Sequence, residues 1–418
     1  MIVFGLARMS AFPEAADGGE VDVVEAQEEG SSPARDASMR GFDSSVNENS
    51  SNNNGANKPS APPTATPQRG TSPAKKRQES TAESRREERE EQRFVDEFGF
   101  ELADSDAVER EQVYIKNIDG KKVCRREIKW TQMTKDWEIT NKKAYEKMKE
   151  RCRKGIPSKF RGFAWQLLTG SRDEMIKAQN SGVYVALTTK KVDGDIEGLI
   201  ERDLGRTFPN HMMFRDDDGI GQTHLRRILR ACANIDPEVG YVQGMGFIVG
   251  TLLTQMGEEE AFWCTYQLLH SPKFQMREVF KNGFPKLKVQ FYMLRQLMKQ
   301  QVPKLAAHCD ALNVDVSFYA SRWFLTLLVY HFPFRAIVRV WDIFMCEGWK
   351  IIFRVIIAMM RWEEVELLQL PFDQLVPRLN ELPGSDKDPD EIIVRALKVK
   401  FKTSELDRWE EEAMNGAS

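Results

Sequence analysis

Two short segments of the chain carry side chains that can act on a transferring phosphoryl group. Residues 200–209 contain Asp203 and Arg206, and residues 240–245 place Gln243 between an aromatic residue and a glycine. A guanidinium is always ionised and presents its donors in a planar fork, so it can neutralise spread negative charge. A carboxamide can accept from an attacking water and donate to a phosphate without adding negative charge. Some nucleotide hydrolases use these two kinds of group in addition to magnesium.

The spacing in the first segment predicts one face of a helix. Ile200, Asp203 and Arg206 recur every three residues, and Pro209 is a nearby stop. Taken alone, an arginine in the last turn of a helix is commonly a partner of the helix dipole or half of a surface ion pair. A glutamine before a glycine is usually a loop residue. Either motif by itself is therefore weak evidence, and only their joint occurrence in a larger pattern points to function.

The composition excludes several classes of protein. The chain has 418 residues with 60 basic and 63 acidic side chains, so it lacks the strongly basic balance typical of a nucleic-acid-binding domain. Its six cysteines are scattered without a CxxC pair, which favours buried thiols in a reducing compartment over disulfides or zinc. No apolar stretch approaches the roughly 20 residues that span a bilayer. We therefore predict a cytoplasmic protein, with peripheral attachment to a membrane as an open alternative.

The chain divides into four parts by composition. Residues 1–93 are poor in large apolar side chains and predict a disordered, low-complexity region. Residues 94–150 form a lead-in segment that we expect to pack on the following domain. Residues 151–402 predict the helical domain itself, and residues 403–418 a C-terminal tail. Within the lead-in, the turn signal at Asp119-Gly120 between two short apolar pieces predicts a small hairpin around 113–115 and 123–124.

Helical patterns dominate beyond Trp130. Leu225, Ile228, Leu229 and Cys232 recur at i, i+3, i+4 and i+7, which is the apolar stripe of a helix packed on a core. No repeat period and little strand signal accompany this pattern, so the fold class is a single large all-α domain. Further helices are predicted at Ala261–Leu269, Leu287–Leu297, Phe318–Tyr330, Ala336–Phe344, Ile351–Met360 and Ile392–Val399.

Four ordered blocks resemble the TBC domain, a family of GTPase-activating proteins for Rab GTPases. The likeness covers roughly residues 152–361. The blocks are Lys154-Gly155-Ile156-Pro157 with Arg161-Gly162 and Trp165, the segment 200–209, the segment 240–245, and Arg339-Val340-Trp341-Asp342. Residues 261–264 and 346–348 look most like the branch of ezrin-scaffold-interacting TBC proteins.

The resemblance implies a role for each site residue. Arg206 would be the arginine finger and Gln243 the glutamine finger that replaces the switch glutamine of the GTPase. Asp203 would hold the guanidinium of Arg206 by a charge-assisted hydrogen bond. Tyr241 and Gly244 would shape the loop that carries Gln243.

The implied partner is a Rab-family GTPase in its GTP-bound state. The chain would need no cofactor and no metal site of its own, because the partner binds both GTP and magnesium. The alternative is a non-catalytic scaffold with the same fold, which binds a GTPase or a membrane partner without accelerating hydrolysis.

The remaining signals have structural explanations. Three tryptophans, Trp165, Trp323 and Trp341, are expected in the core, and Asp342 is expected to pair with a basic residue such as Arg339. The five histidines have no zinc-binding spacing, and the chain contains no GxxxxGK[ST] loop for a nucleotide of its own.

Overall fold

The structure is a computed structural model that describes residues 94–382 and 387–416. Within these ranges the regular structure is helical, apart from two isolated β-bridges in which single residues pair. The predicted all-α fold is therefore confirmed. The disorder predicted for residues 1–93 lies outside the described residues.

The helices of the first part extend from the lead-in segment to the helix that follows Gln243. They are α1 Ser105–Lys116, α2 Gly120–Lys135, α3 Trp137–Lys143, α4 Tyr145–Arg153, α5 Ser158–Thr169, α6 Ser171–Met175, α7 Val183–Thr189, α8 Gly194–Leu204, α9 Ile220–Ile235 and α10 Met245–Leu253, with a short 3-10 helix at Ala178–Asn180.

The second part continues with helices of similar length. They are α11 Glu258–His270, α12 Met276–Phe280, α13 Pro285–Gln301, α14 Pro303–Ala311, α15 Ser317–Leu325, α16 Phe334–Glu347, α17 Lys350–Leu367, α18 Phe372–Asn380, α19 Pro389–Lys398 and α20 Thr403–Gly416. Two helices organise the packing: α9 lies against α7, α8, α10 and α11, and α16 lies against α4, α5, α17 and α19.

The periodic sequence segments form the helices that they predict. In α9 the stripe of Leu225, Ile228, Leu229 and Cys232 is buried, because these positions share one face at 3.6 residues per turn. Helix α11 begins at Glu258 with three glutamates in its first turn, where the helix dipole favours negative charge.

The hairpin predicted in the lead-in segment is wrong, since both of its strands lie in helices α1 and α2. Asp119 is the N-cap of α2, and its carboxylate accepts from the backbone N–H of Lys122 at 3.0 Å. Asp104 caps α1 in the same way through Ala107 at 2.7 Å. The Asp-Gly pair that signals a turn in a hairpin is here the start of a helix.

Buried tryptophans and one buried carboxylate occupy the centre of the domain. Trp165, Trp323 and Trp341 are each at most 2% exposed, as predicted. Asp342 is fully buried, and it accepts from Trp165 Nε1 at 2.9 Å and from the backbone N–H of Ile156 at 2.7 Å. Burial raises the pKa of the Asp342 carboxyl.

Asp342 pairs with a basic residue, as predicted, but Arg339 is not that residue. Arg339 donates to Asp390 at 2.8 Å, whereas the basic partner of Asp342 is the buried Arg161, whose Nε lies 3.3 Å from Oδ1. The two residues lie one turn apart on α16, but their side chains find different partners. Asp342 is fully buried, while Arg339 keeps part of its side chain in solvent.

The segment designated as the C-terminal tail forms helix α20. Leu406 and Trp409 are buried, and the helix packs along α13. Polar contacts at its ends join the same two helices, from Gln300 to Glu405 at 2.7 Å and from Tyr292 to Glu412 at 3.2 Å. Residues 403–416 are therefore part of the packed domain.

Candidate functional site

Arg206 lies just beyond the end of α8. The helix ends at Leu204 with Gly205 as C-cap, and the backbone N–H of Arg206 bonds to the carbonyl of Asp203 at 3.2 Å in the turn that follows. Ile200 and Asp203 are buried, as one shared helical face predicts, but Arg206 is outside the helix and its side chain is exposed. Among the described residues, its guanidinium has no hydrogen-bond or ion-pair partner.

The predicted hydrogen bond between Asp203 and Arg206 is wrong. Oδ2 of Asp203 accepts from the hydroxyl of Tyr241 at 2.5 Å, and both side chains are buried. The carboxylate belongs to the inward face of α8, while the turn after Leu204 directs the arginine to solvent. Burial, followed by the hydrogen bond to Asp203, raises the pKa of Tyr241, so the phenol stays protonated and donates. The bond ties the end of α8 to the segment before Gln243.

Two glycines of α10 let the loop after Arg206 lie directly on that helix. A Cβ atom at Gly246 would stand 2.8 Å from Oγ1 of Thr207, and one at Gly250 would stand 2.9 Å from the ring of Phe208. The backbone of Phe208 has φ = 53°, a left-handed conformation that side chains rarely adopt. Residue-level strain of this kind persists where surrounding packing over-determines it, often at functional sites.

Gln243 stands at the entrance to α10, next to a glycine that no other residue can easily replace. Gly244 has φ = 107°, and a Cβ atom there would lie 3.2 Å from Cγ2 of Thr326. The side chain of Gln243 is exposed and makes no hydrogen bond within the part of the chain that the structure describes. Its carboxamide is therefore available to a partner.

The segment packed next to Gly244 is a strained turn after α15. The helix predicted over Phe318–Tyr330 ends at Leu325, because Leu327 and Leu328 take left-handed φ values of 49° and 70°. The backbone N–H of Leu328 reaches back to the carbonyl of Trp323 at 2.8 Å. This turn brings Thr326 against the loop that carries Gln243.

The lead-in segment closes the other side of the Arg206 loop. The ring of Phe100 meets those of Phe208 and His211 at centroid distances of 5.4 Å and 4.7 Å. The backbone N–H of Glu101 donates to the carbonyl of Asn210 at 2.8 Å. The loop is therefore held between the lead-in segment and α10.

The sequence analysis missed the residues that support the two exposed side chains. Thr207, Phe208, Gly246 and Gly250 carry no reactive group, so a search for chemistry passes over them. The signal available was the pair of glycines four residues apart within the apolar run after Gln243, since small residues at that spacing permit close approach.

The arrangement presents one cation and one carboxamide from two segments fixed to each other, and neither group has a partner in residues 94–382 and 387–416. Fixed donors of this kind can stabilise charge that develops on a bound anion without reorganising first. Across the described residues there is no group of three His, Cys, Asp or Glu side chains that could hold a metal ion. No helix in these residues is long and apolar enough to cross a membrane.

Comparisons with known proteins give a consistent result. The Rab-GTPase-TBC domain family matches residues 158–368. The human ecotropic viral integration site 5 protein homolog is 36% identical over 68% of this chain and 34% of its own length. The Caenorhabditis elegans Rab GTPase-activating protein tbc-11 is 31% identical over 68% of this chain and 30% of its own. The chain thus spans about a third of the length of these relatives.

A solved structure shares the same architecture. The crystal structure of the Chlamydomonas flagellar RabGAP TBC domain superposes with a TM-score of 0.55 and 25% sequence identity. The match covers 72% of this chain and 98% of that domain. Arg206 and Gln243 both lie within residues 158–368, the range that the family matches.

Proposed function

The chain belongs to the Rab-GTPase-TBC domain family, and on that premise we propose that it accelerates GTP hydrolysis by a Rab-family GTPase. Arg206 and Gln243 enter the nucleotide site of the GTP-bound partner. The partner supplies GTP and magnesium, and this chain supplies two side chains in trans. We further propose that the protein acts in vesicle trafficking from the cytoplasm or from the cytoplasmic surface of a membrane.

One observation carries the proposal: both side chains are exposed and have no partner among the described residues, and their segments are joined by a buried hydrogen bond. The Tyr241–Asp203 bond and the packing of Thr207 on Gly246 fix the two loops relative to each other. The fold thus orders the two loops and leaves the guanidinium of Arg206 and the carboxamide of Gln243 available to a partner.

The chemistry assigns a separate task to each group. The guanidinium of Arg206 stabilises the negative charge that builds on the γ-phosphoryl oxygens and the bridging oxygen. The carboxamide of Gln243 accepts from the attacking water and donates to the phosphate, which aligns the water for in-line attack. An arginine finger contributes roughly 10³ to 10⁵ in rate, equivalent to about 4 to 7 kcal/mol of barrier.

The test is single-turnover hydrolysis by a panel of GTP-loaded Rabs, with the full chain as activator. Wild type is compared with Arg206→Ala and with the matched control Arg202→Ala, an exposed arginine one turn earlier in α8. We expect Arg206→Ala to lose at least about 10³-fold of the acceleration of any responsive Rab, and Arg202→Ala to keep it.

Two outcomes would contradict the proposal in different ways. Equal acceleration by wild type and Arg206→Ala on the same Rab would refute the role of the arginine. If no Rab responds but one of them binds the folded chain, the non-catalytic scaffold becomes the better description.

A further inference from the structure

The charge of the chain is distributed unevenly, with a strong positive excess between residues 120 and 159. This stretch holds 14 Lys and Arg residues against five Asp and Glu, a net charge of +9, while the whole chain has −3. It comprises α2, α3, α4 and the start of α5, far in sequence from Arg206 and Gln243. The proposed catalytic chemistry does not use it.

The exposed face of α2 carries basic side chains and no acidic one. Its exposed basic residues are Lys121, Lys122, Arg125, Lys129 and Lys135. Lys121, Arg125 and Lys129 lie four residues apart and so form one stripe along the helix. The opposite face buries Trp130 and Met133. Glu127, the acidic residue of α2, is partly buried and lies 3.5 Å from Lys159.

Helix α4 adds Lys147 and Arg151 to this face, and it also carries two exposed acidic residues, Glu146 and Glu150. Nη1 of Arg151 donates to the carbonyl of Lys129 at 3.2 Å, so the two helices meet at their basic sides. Between α2, α3 and α4 lies a groove of about 180 Å³, whose polar lining comes from Gln132, Thr140, Lys147 and Arg151. A small anionic group entering this groove would meet two cations and two neutral hydrogen-bonding side chains.

Most of these cations form no ion pair with another described residue. Glu150 is nevertheless close, since its pKa is lowered first by its hydrogen bond to Lys154 and then by the charges of Lys154, Arg151 and Lys129. In the described part of the chain, none of the five exposed basic residues of α2 forms an ion pair, and neither do Lys147 and Arg151. Neighbouring basic residues of α4 and α5 differ, because Lys149, Lys154 and Lys159 each have a glutamate partner. A surface with this net excess of positive charge costs self-repulsion that an anionic partner would relieve.

One apolar side chain indicates which anionic partner fits. Ile128 is 53% exposed and lies on the basic face of α2, one turn after Cys124, which is also exposed. Nucleic acid would gain little from an isoleucine there, whereas a lipid surface can take an apolar side chain between its headgroups. Each basic residue near an anionic leaflet strengthens the attraction roughly fivefold.

We propose that the α2–α4 basic surface, formed by Lys121, Arg125, Lys129, Lys147 and Arg151 around Ile128, docks the protein on an anionic lipid bilayer. The stripe on α2 supplies the long-range attraction. The groove between the helices receives a headgroup phosphate, and Ile128 enters the interface. This docking does not depend on the proposed GTPase activation.

The first test is co-sedimentation of the full chain with vesicles of phosphatidylcholine, with and without phosphatidylserine. We expect binding only to the anionic vesicles, and weaker binding as salt increases. The triple variant Lys121→Glu/Arg125→Glu/Lys129→Glu should lower the affinity at least tenfold, since each lost cation is worth roughly fivefold. A matched control with the same change in charge is Lys288→Glu/Lys299→Glu/Lys304→Glu, at exposed lysines elsewhere, and it should keep binding.

A second readout locates the contact. Cys124 is exposed while the other five cysteines are buried, so an environment-sensitive maleimide dye will label the basic face selectively. Its emission should shift to the blue on anionic vesicles. Binding that the α2 triple variant leaves unchanged, or binding without a dye shift, would overturn the proposal. So would binding of a short DNA duplex at a salt concentration where the vesicles do not bind.

Hydrolysis by a soluble, GTP-loaded Rab without vesicles separates this inference from the proposed function. The α2 triple variant should accelerate it as well as wild type does. A loss of that acceleration in a folded variant would show that the basic face contacts the GTPase, and it would overturn the assignment to lipid.

Discussion

The hydroxyl of Tyr241 donates to Oδ2 of Asp203 at 2.5 Å, although 38 residues separate the two in the chain. Both side chains are buried, so neither can exchange this bond for one to water. The bond joins the end of α8, next to Arg206, to the segment that leads into Gln243. A buried bond with one charged partner is worth more than its neutral equivalent, and breaking it from one side is costly.

Tyr241→Phe should therefore lower the free energy of unfolding by about 1 to 3 kcal/mol, because a buried carboxylate loses its donor. Urea denaturation followed by circular dichroism measures this. Tyr292→Phe is the control, because its hydroxyl bonds Glu412 at an exposed position, and it should stay within about 0.5 kcal/mol of wild type. Equal losses of stability in the two variants would show that the buried hydrogen bond of Tyr241 stabilises the domain no more than an exposed one.

Gly246→Ala and Gly250→Ala should each destabilise the domain, although alanine is the better helix former by about 1 kcal/mol. The new methyl groups would stand 2.8 Å from Thr207 and 2.9 Å from Phe208, and such overpacking costs about 1 to 3 kcal/mol. The acceleration of GTP hydrolysis by a responsive Rab should fall as well, since the Arg206 loop is displaced.

The control for the glycine substitutions is Gly198→Ala in α8. A Cβ atom there would find Arg202 Nη1 at 3.9 Å as its neighbour, so the new methyl group meets no obstruction. We expect it to stabilise the protein by about 0.5 to 1 kcal/mol. If Gly246→Ala also stabilises the protein in thermal unfolding, the loop after Arg206 does not pack closely on α10.

Gln243→Glu tests the chemistry of the carboxamide. The substitution keeps the shape but places a negative charge beside the phosphate and removes the donor, so acceleration of a responsive Rab should fall by about 10² or more. Gln374→Glu adds the same charge at an exposed position of α18 and should leave the rate unchanged. Single-turnover hydrolysis is the measurement, and full activity of Gln243→Glu would exclude a catalytic carboxamide.

His331 gives the protein one source of sensitivity to acid. Burial, and then the charge of Arg322, lower its pKa from 6.5 to about 4. The folded state therefore binds fewer protons than the unfolded state between these values, and stability that is present above pH 6.5 is lost as the pH falls towards 4. In urea titrations between pH 6.5 and 4, the free energy of unfolding of His331→Gln should fall less than that of wild type. The difference should be at most about 3 kcal/mol. Parallel pH profiles for the two proteins would contradict this.

The fold could be predicted from sequence wherever a pattern is local. The stripe from Leu225 to Cys232 is enough to specify α9, because burial on one side requires that periodicity whatever lies opposite. The acidic start of α11 is equally local. The error at Asp119-Gly120 arose because the same dipeptide starts a hairpin turn or caps a helix, and the choice depends on what packs nearby.

The site could be predicted only as far as residue types allow. The motif blocks point to Arg206 and Gln243, and the structure exposes both side chains to solvent without a partner in the part of the chain that it describes. The partner of Asp203 could not be predicted, because spacing along the chain favours Arg206 while the inward direction of the carboxylate selects Tyr241. Contacts made across 38 residues depend on how helices meet, which local sequence does not encode.

The buried carboxylate of Asp342 has a consequence for how the domain is made. It satisfies the backbone N–H of Ile156, 186 residues earlier in the chain, and the indole of Trp165. During synthesis these donors emerge from the ribosome long before their acceptor exists. In a nascent chain that has not yet reached α16, Ile156 and Trp165 therefore lack their buried acceptor, and α5 cannot pack into the finished core. The family's first and last motif blocks thus fold together. A chain truncated before residue 342 should be a substrate for chaperones and proteases.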